Sequence, residues 1–509
     1  MNHFPSFMKN NSQGDKFSHP WAWFLSTILL CVFFAFAPVS GIFAQGKDLF
    51  SRGQGADTQS VQRYTSIIQN VFDFIQRHYV DEVDPKILFE GAMTGMFNSL
   101  KDPYTSFLAE SEMTDLSDTT QGSFGGVGLY ITKPVAARSD GRPPYVEVAS
   151  PIEDTPGWRA GINPGDLIIE IDGETTDKLT MDEVLARLRG KPGLDVRLLI
   201  RRGEKLEFPV TLTRAIIEVP TTKFDMIGDI GYLRLISFTP MTAERARGAI
   251  TDFRSKQYKG LILDLRNNYG GLLNSAVDIC SLFLEGGVVV STKSRIPSEN
   301  HVFNARRLPL VSKDIPVIVL INRGSASASE IVAGALKDRG RAFLVGEKTF
   351  GKGSVQQVYP LENVGFKITT ARYYTPSDVN IDKIGIPPDR EVKYPEFTEA
   401  DAEHLSALIL SNKIPDFVRG NPEASVGQID AFVRGLERDY RLDRELLKRL
   451  IRNEQHRTVI APVYDLEYDV QLLEAVNILR SGTFNSLMEN SKTLKELQED
   501  VNLDLPLAS

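Results

Sequence analysis

Cysteine is nearly absent from this chain of 509 residues: there are two, Cys31 and Cys280. Cys31 falls in the first apolar run, so no disulfide framework braces the remainder, and burial has to supply its stability. Histidine is scarce as well. The six (His3, His19, His78, His301, His404 and His456) are scattered, with no zinc-type Cys/His spacing and no calcium loop. No metal, nucleotide or other cofactor is expected. Basic charge is not in excess: the net charge is −8, which gives no electrostatic footprint for nucleic acid. Long apolar runs are limited to Trp21 to Ala37, preceded by Lys9 and Lys16. That run has the length of a long export-signal core or a short membrane span. Ala44 offers a cleavage position with Ile42 at minus three, and Leu30 before Cys31 does not fit a lipoprotein signal. Residues 1–44 therefore read as a signal peptide or signal anchor. The rest of the chain is expected outside the cytoplasm, in the periplasm or cell envelope.

Apolar content of 42% and charged content of 24% are those of a soluble globular protein, and the length calls for two to four domains. Residues 45–116 read as a linker followed by helices, with Ile67, Ile68, Val71, Phe72 and Ile75 at helical spacing and Pro85 opening a second helix to about Leu100. Residues 117–213 form a compact mixed unit of short strands and one capped helix, Met181 to Arg189, with Thr180 and Glu183 as its capping box. From about 214 to 393 strands alternate with helices, which predicts an α/β core. The apolar run Leu261 to Leu265 is a strand buried on both faces, and a helix from Leu272 to Leu284 follows it. Residues 394–509 are helical and charge-rich, a cap or interaction region. Apolar periodicity in both helical ends, flanking a core that reads as complete without them, predicts self-association.

Two segments carry chemistry. Gly324-Ser325-Ala326-Ser327-Ala328-Ser329-Glu330 lies between a buried strand and a helix. Such a junction sets a hydroxyl at a helix N-terminus, where N–H groups and the dipole favour a developing oxyanion. A small-residue turn that only permits close packing fits the local pattern too. The second segment, Gly346 to Ser354, nearly reads as a phosphate-binding loop. Gly353 stands where the magnesium-binding hydroxyl should be, and the alternating residues after it predict a strand in place of the required helix. A solvated lysine in a glycine loop is the plainer alternative for Lys352. His301, in a polar loop-like stretch, is the only histidine within the α/β region.

Taken together, these segments resemble the C-terminal processing (tail-specific) peptidases. The shared pattern is Ser325-Ala326-Ser327-Ala328-Ser329-Glu330, then Gly351-Lys352-Gly353 and Val355-Gln356, with Lys352 standing 25 residues after Ser327. Asp264-Leu265-Arg266-Asn267-Asn268 with Gly270-Gly271 also matches, although Tyr269 replaces a small residue. So do Tyr373 to Pro376, Gly385 to Asp389 and, less diagnostically, Asp469 to Leu473. The resemblance covers roughly residues 60–393. It implies an α/β protease core like those of crotonases and Clp-type proteases, an inserted mixed α/β PDZ domain, and helical ends. It implies a serine endopeptidase with Ser327 as nucleophile and Lys352 as base. Gln356 would orient the amine, and the Ala328 and Gly271 N–H groups (Gly270 less so) would form the oxyanion hole. Glu330 and Asp338 would shape the site. Only about one lysine in 2,500 is neutral at pH 7 from its ordinary pKa, so burial must bring Lys352 toward ~7–8. Gly126, Val127, Gly128 and Leu129 would bind a substrate's terminal carboxylate. Val184, Leu185 and Leu188 would face the groove or the core, and Arg189 would sense an acidic group or point to solvent. Partners implied are proteins with free C-terminal tails, a second copy or higher homo-oligomer, and an activating adaptor. A non-proteolytic PDZ scaffold is the rival reading, but it would need none of Ser327, Lys352 and Gln356.

Overall fold

The computed structural model describes residues 58–134, 143–203, 205–394, 398–456 and 462–503; the expected signal segment and the linker over 45–57 lie outside these. Helix α1 (Thr58–His78) leaves Val61, Tyr64, Ile67, Ile68, Val71 and Phe74 exposed. Asp84 caps α2 (Pro85–Asn98) by accepting from Lys86 N at 2.8 Å. The turn 102–105, strand β1 (Ser106–Leu108) and helix α3 (Glu110–Gln121) follow.

Next come β2 (Ser123–Gly126), β3 (Leu129–Thr132), β4 (Val146–Pro151), α4 (Pro156–Arg159), β5 (Leu167–Ile171), β6 (Glu174–Thr175), α5 (Met181–Leu188), β7 (Asp195–Arg202) and β8 (Leu206–Thr213). These build an antiparallel sheet in the order β3-β4-β5-β7-β8, which leaves β3 at an edge. Val196, Leu198 and Ile200 alternate into its core, as the period-two pattern requires. The capping box of Thr180 and Glu183 starts α5, whose Val184 and Leu188 join that core while Leu185 is half-buried. Strand β9 (Ala215–Glu218) pairs with β2 and closes the unit at its base.

The α/β core contains β10 (Thr222–Ile227), β11 (Ile230–Leu235), α6 (Thr242–Ser255), β12 (Gly260–Asp264), α7 (Leu273–Cys280), β13 (Val288–Ser294), β14 (His301–Asn304), β15 (Val317–Ile321), α8 (Ala328–Asp338), β16 (Phe343–Gly346), β17 (Ser354–Leu361), β18 (Val364–Tyr374) and β19 (Arg390–Glu391). One sheet runs β10-β11-β12-β15-β16-β19, parallel from β11 onward. A second runs β1-β18-β13-β14, with β17 also on β18. Helix α7 ends earlier than Leu284 because the chain tightens there: Leu282 N bonds Ile279 O and Phe283 N bonds Cys280 O. His301 opens a strand in place of the expected loop and is exposed.

Four helices, α9 (Glu399–Leu410), α10 (Lys413–Gly420), α11 (Val426–Tyr440) and α12 (Arg444–Gln455), share a small apolar cluster of their own. Three more follow: α13 (Val470–Ser481), α14 (Phe484–Glu489) and α15 (Leu494–Leu503). Leu472, Ala475, Val476 and Ile478 of α13 pack on the face of the parallel sheet that carries Tyr232, Ile262, Ile318 and Leu320. The opposite face is covered by α6, α7 and α8. The expectation of a core complete without the C-terminal region is therefore corrected. Each fully buried aliphatic side chain is worth about 1.5–3 kcal/mol, so the sheet cannot leave that second face bare.

Candidate active site

Strand β15, buried at every residue, delivers the chain into the turn that precedes α8. Asn322 locks this turn, its Oδ1 accepting from Gly324 N at 3.0 Å and from Asn267 N at 2.9 Å. The three serines of the segment are used differently. Ser325 Oγ donates to Leu265 O (2.9 Å), and Ser329 Oγ donates to Asn268 O (2.7 Å). Ser327 Oγ is buried and is spent on no backbone carbonyl; its hydroxyl neighbour is the Tyr373 phenol. Ser327 also takes φ 64° and ψ −113°, a backbone state costing about 1–3 kcal/mol outside glycine. Strain of this kind, at a strand–turn–helix junction, holds a hydroxyl beside the first N–H groups of the helix.

The segment after β12 faces that turn. Arg266 is held between Asp264 (2.6 Å) and Asp469 (2.7 Å), and its Nη1 also donates to Gln471 (3.1 Å). Burial pushes the Asp264 carboxyl up, but the Arg266 charge outweighs it and leaves it below the usual range. Asn268 then turns the chain, its Oδ1 accepting from Gly270 N at 2.9 Å. Gly270 lies so close to the serine turn that a Cβ would sit 2.9 Å from Ser327 Cβ and 3.0 Å from Ala328 N. A Cβ on Gly271 would meet Phe238 O at 2.2 Å. The Gly270 N–H is thus already engaged, whereas no partner for the N–H of Gly271 or of Ala328 is found among the described residues.

Lys352, in the loop before β17, is buried, as are Glu330 on α8 and Gln356 on β17. The Glu330 carboxylate ties this loop to the serine turn. Its Oε2 accepts from Ser327 N (2.7 Å) and Lys352 N (2.9 Å), and its Oε1 accepts from Thr349 Oγ1 (2.6 Å) and Gly351 N (2.8 Å). Burial raises the Glu330 pKa, opposed by these four donors. Gln356 Nε2 donates to Ser354 Oγ (3.0 Å) and Thr369 Oγ1 (3.1 Å), while its Oε1 is buried without a partner. Asp338, at the far end of α8, accepts from Ser377 and from Leu494 N, and so braces the helix from its other end.

Sequence reasoning missed the turn Asp102-Pro103-Tyr104-Thr105. Lys352 Nζ lies 4.5 Å from the centre of the Tyr104 ring. Thr369 N donates to Thr105 Oγ1 (3.0 Å), and the Thr369 hydroxyl also bonds Asp102. An Asp-Pro turn with an aromatic after a helix was the available signal, but it lay inside a stretch read as helical.

The loop expected to bind substrate tails lies outside this cluster. Gly126, Val127 and Gly128 are buried and Leu129 begins the edge strand β3. Val127 O and Gly128 O accept from Gly157 N and Ile152 N, whereas neither the Val127 nor the Gly128 N–H donates to backbone among the described residues. The Arg189 guanidinium sits 5.0 Å from the Phe124 ring centre.

Family models match three parts of the chain: peptidase family S41 over residues 229–392, a PDZ domain over 147–202, and the N-terminal domain of the activating protease CtpB over 42–112. The carboxy-terminal-processing protease of Bartonella bacilliformis is 41% identical over 366 residues, covering 70% of this chain and 82% of the relative. The carboxyl-terminal-processing protease of Synechocystis sp. is 36% identical, covering 63% and 76%. The solved photosystem II D1 C-terminal processing protease is 30% identical, with a TM-score of 0.39 over 64% of this chain and 92% of that one. Motifs, PDZ unit and relatives agree: the chain belongs to the carboxy-terminal-processing proteases of peptidase family S41.

Proposed function

We propose that this protease is a serine endopeptidase working through a Ser327–Lys352 dyad on proteins with free C-terminal tails. The observation that carries the proposal is the division of labour among the serines. Ser325 and Ser329 are spent on backbone carbonyls, whereas Ser327 is strained, spends its hydroxyl on no carbonyl and lies beside two unengaged N–H groups. The neutral Lys352 amine takes the Ser327 proton as Oγ attacks the scissile carbonyl carbon. The N–H groups of Ala328 and Gly271 donate to the oxyanion. The ammonium returns its proton to the departing amine, leaving an acyl-enzyme on Ser327. Water then attacks, Lys352 accepts its proton, and the new carboxyl end leaves as Ser327 Oγ is reprotonated. Gln356 Oε1 is the acceptor that would orient the amine during this cycle. The parallel sheet with helices on both faces supports the likeness to crotonases and Clp-type proteases by analogy of fold.

Substrate tails add to the open edge of β3, with the carboxylate held by the Val127–Gly128 N–H groups. The Trp21–Ala37 run supports export to the periplasm or envelope, with or without a retained anchor, and substrates among envelope proteins. The exposed apolar residues of α1 support a homo-oligomer, and an adaptor would act on the same N-terminal region.

The experiment is cleavage of an unstructured peptide with an apolar C-terminus. Ser327→Ala and Lys352→Arg abolish it with unchanged folding, because a guanidinium cannot act as base. Ser325→Ala and Ser329→Ala retain measurable activity. An active Lys352→Arg enzyme, or an active Ser327→Ala one, overturns the dyad.

A further inference from the structure

We propose that Tyr104 is a positioning residue for the base: its ring parks the Lys352 ammonium off Ser327, so the N-terminal turn 102–105 sets how readily the amine is released. The inference rests on the Ser327–Lys352 dyad. Three observations on separate elements support it. Lys352 Nζ lies 4.5 Å from the Tyr104 ring centre, and a ring face attracts the charged form of an amine and not the neutral one. No hydrogen bond joins Ser327 Oγ to the Lys352 amine, so the ammonium does not rest on the nucleophile. Gln356 Oε1 is likewise buried and unpartnered, while its Nε2 is committed to Thr369 and Ser354.

The turn that carries Tyr104 is itself held against the site. Asp102 accepts from Tyr104 N (3.0 Å) and Thr105 Oγ1 (2.7 Å), and Thr369 on β18 bonds both Thr105 and Asp102. Strand β1 then pairs Ser106 with Lys367 on that same strand. A run of hydrogen bonds therefore joins Gln356, through Thr369, to the turn beneath the lysine.

Other charged or titratable groups face this loop. Asp102 precedes Tyr104, and Glu330 on α8 accepts from Lys352 N. Tyr373 on β18 donates to Lys352 O, and Asp382, after β18, accepts from Gly353 N with Arg372 at 3.9 Å. Lys367 acts electrostatically on Asp102. Burial raises the Tyr104 phenol above its ordinary range, so the ring stays neutral through the working pH range. Among these groups Tyr104 offers the lysine a π face, which separates its effect from that of the carboxylates.

The sign of the effect is fixed. A ring that favours the ammonium delays deprotonation, so removing it frees the base at lower pH. The test is the pH dependence of kcat/KM for the full chain and its Tyr104 variants. Tyr104→Leu moves the midpoint of the ascending limb down by about 0.4–1.5 units, the size of a partly buried cation–π contact. Tyr104→Phe keeps the wild-type midpoint, and Tyr104→Trp, with the stronger ring, moves it up. If Tyr104→Leu fails to fold, the comparison of Trp with Phe decides. Equal midpoints across the folded variants overturn the proposal. Lys352→Arg keeps the two readings apart. If it is inactive while the midpoints stay equal, only the role of Tyr104 is lost; if it is active, the dyad itself is wrong.

Discussion

Glu330→Gln tests whether one buried carboxylate holds nucleophile and base in register. Wild-type Glu330 accepts four hydrogen bonds between 2.6 and 2.9 Å, one from the serine turn and three from the lysine loop. Glutamine keeps the shape but turns one oxygen into a donor. On the Oε2 side that donor would oppose the fixed N–H groups of Ser327 and Lys352. It therefore goes to the Oε1 side, where the Thr349 hydroxyl can rotate to accept but Gly351 N–H cannot. One charge-assisted bond is lost outright, and the two on Oε2 fall to neutral strength. At about 1.5–3 kcal/mol for a bond to a charged group and about 1 for a neutral one, the gross loss is about 2.5–7 kcal/mol. Relief from burying a charge, the same burial that raises the Glu330 pKa, offsets part of it. A net 1.4–2.8 kcal/mol at the transition state lowers kcat/KM by about 10- to 100-fold. The loss falls on kcat, since Glu330 does not touch substrate. Steady-state kinetics on an unstructured peptide, with a thermal melt to show that folding survives, measures it. A folded Glu330→Gln enzyme within threefold of wild-type kcat would refute the reasoning.

Two further outcomes follow from the same geometry. Gly271→Ala places a Cβ 2.2 Å from Phe238 O and displaces the proposed oxyanion donor; kcat should fall about 10²- to 10³-fold with KM little changed. Gly248→Ala, in helix α6 with open space around its Cβ and an ordinary helical backbone, serves as the control that retains activity. Amidating a substrate's C-terminus removes a charge-assisted pairing with the Val127–Gly128 N–H groups and should slow cleavage about tenfold or more. Equal rates for acid and amide would remove tail recognition from this loop.

What the sequence made legible was local. Alternation in Val196 to Ile200, the Thr180–Glu183 capping box and the fully apolar strand Val317–Ile321 each announce their element through neighbours a few residues away. The Ser327 turn and the Lys352 loop were legible for the same reason. What joins them was not. Glu330 reaches Lys352 across 22 residues, and Thr105 reaches Thr369 across 264, distances at which no periodicity carries information. The packing of helix α13 on the sheet escaped for a different reason. It lies in a helical, charge-rich stretch whose apolar periodicity reads as a surface for self-association. Yet strands buried on both faces, such as Leu261 to Leu265, demand a second covering layer, and that signal was present in the sequence.

The strain at Ser327 explains why distant helices bear on the site. A non-glycine residue at φ 64° persists only where its surroundings over-determine it. Here the restraint is α8, buried from Ala328 through Lys337, with Glu330 clamping its first turn. Its last turn is held from elsewhere in the chain. Lys337 pairs with buried Asp389, which also accepts from Ser491 Oγ (2.7 Å) and Leu344 N (2.8 Å). Asp338 accepts from Leu494 N (2.8 Å), and Leu494 packs into the same core cluster as Ile331 and Ala335. The C-terminal segment therefore fixes the far end of the helix whose near end carries the nucleophile. Residues 491–494 touch no reacting atom, but without them α8 could shift along its axis and let Ser327 relax toward an ordinary turn. The free energy that holds the hydroxyl in place is drawn from packing at the opposite end of the helix.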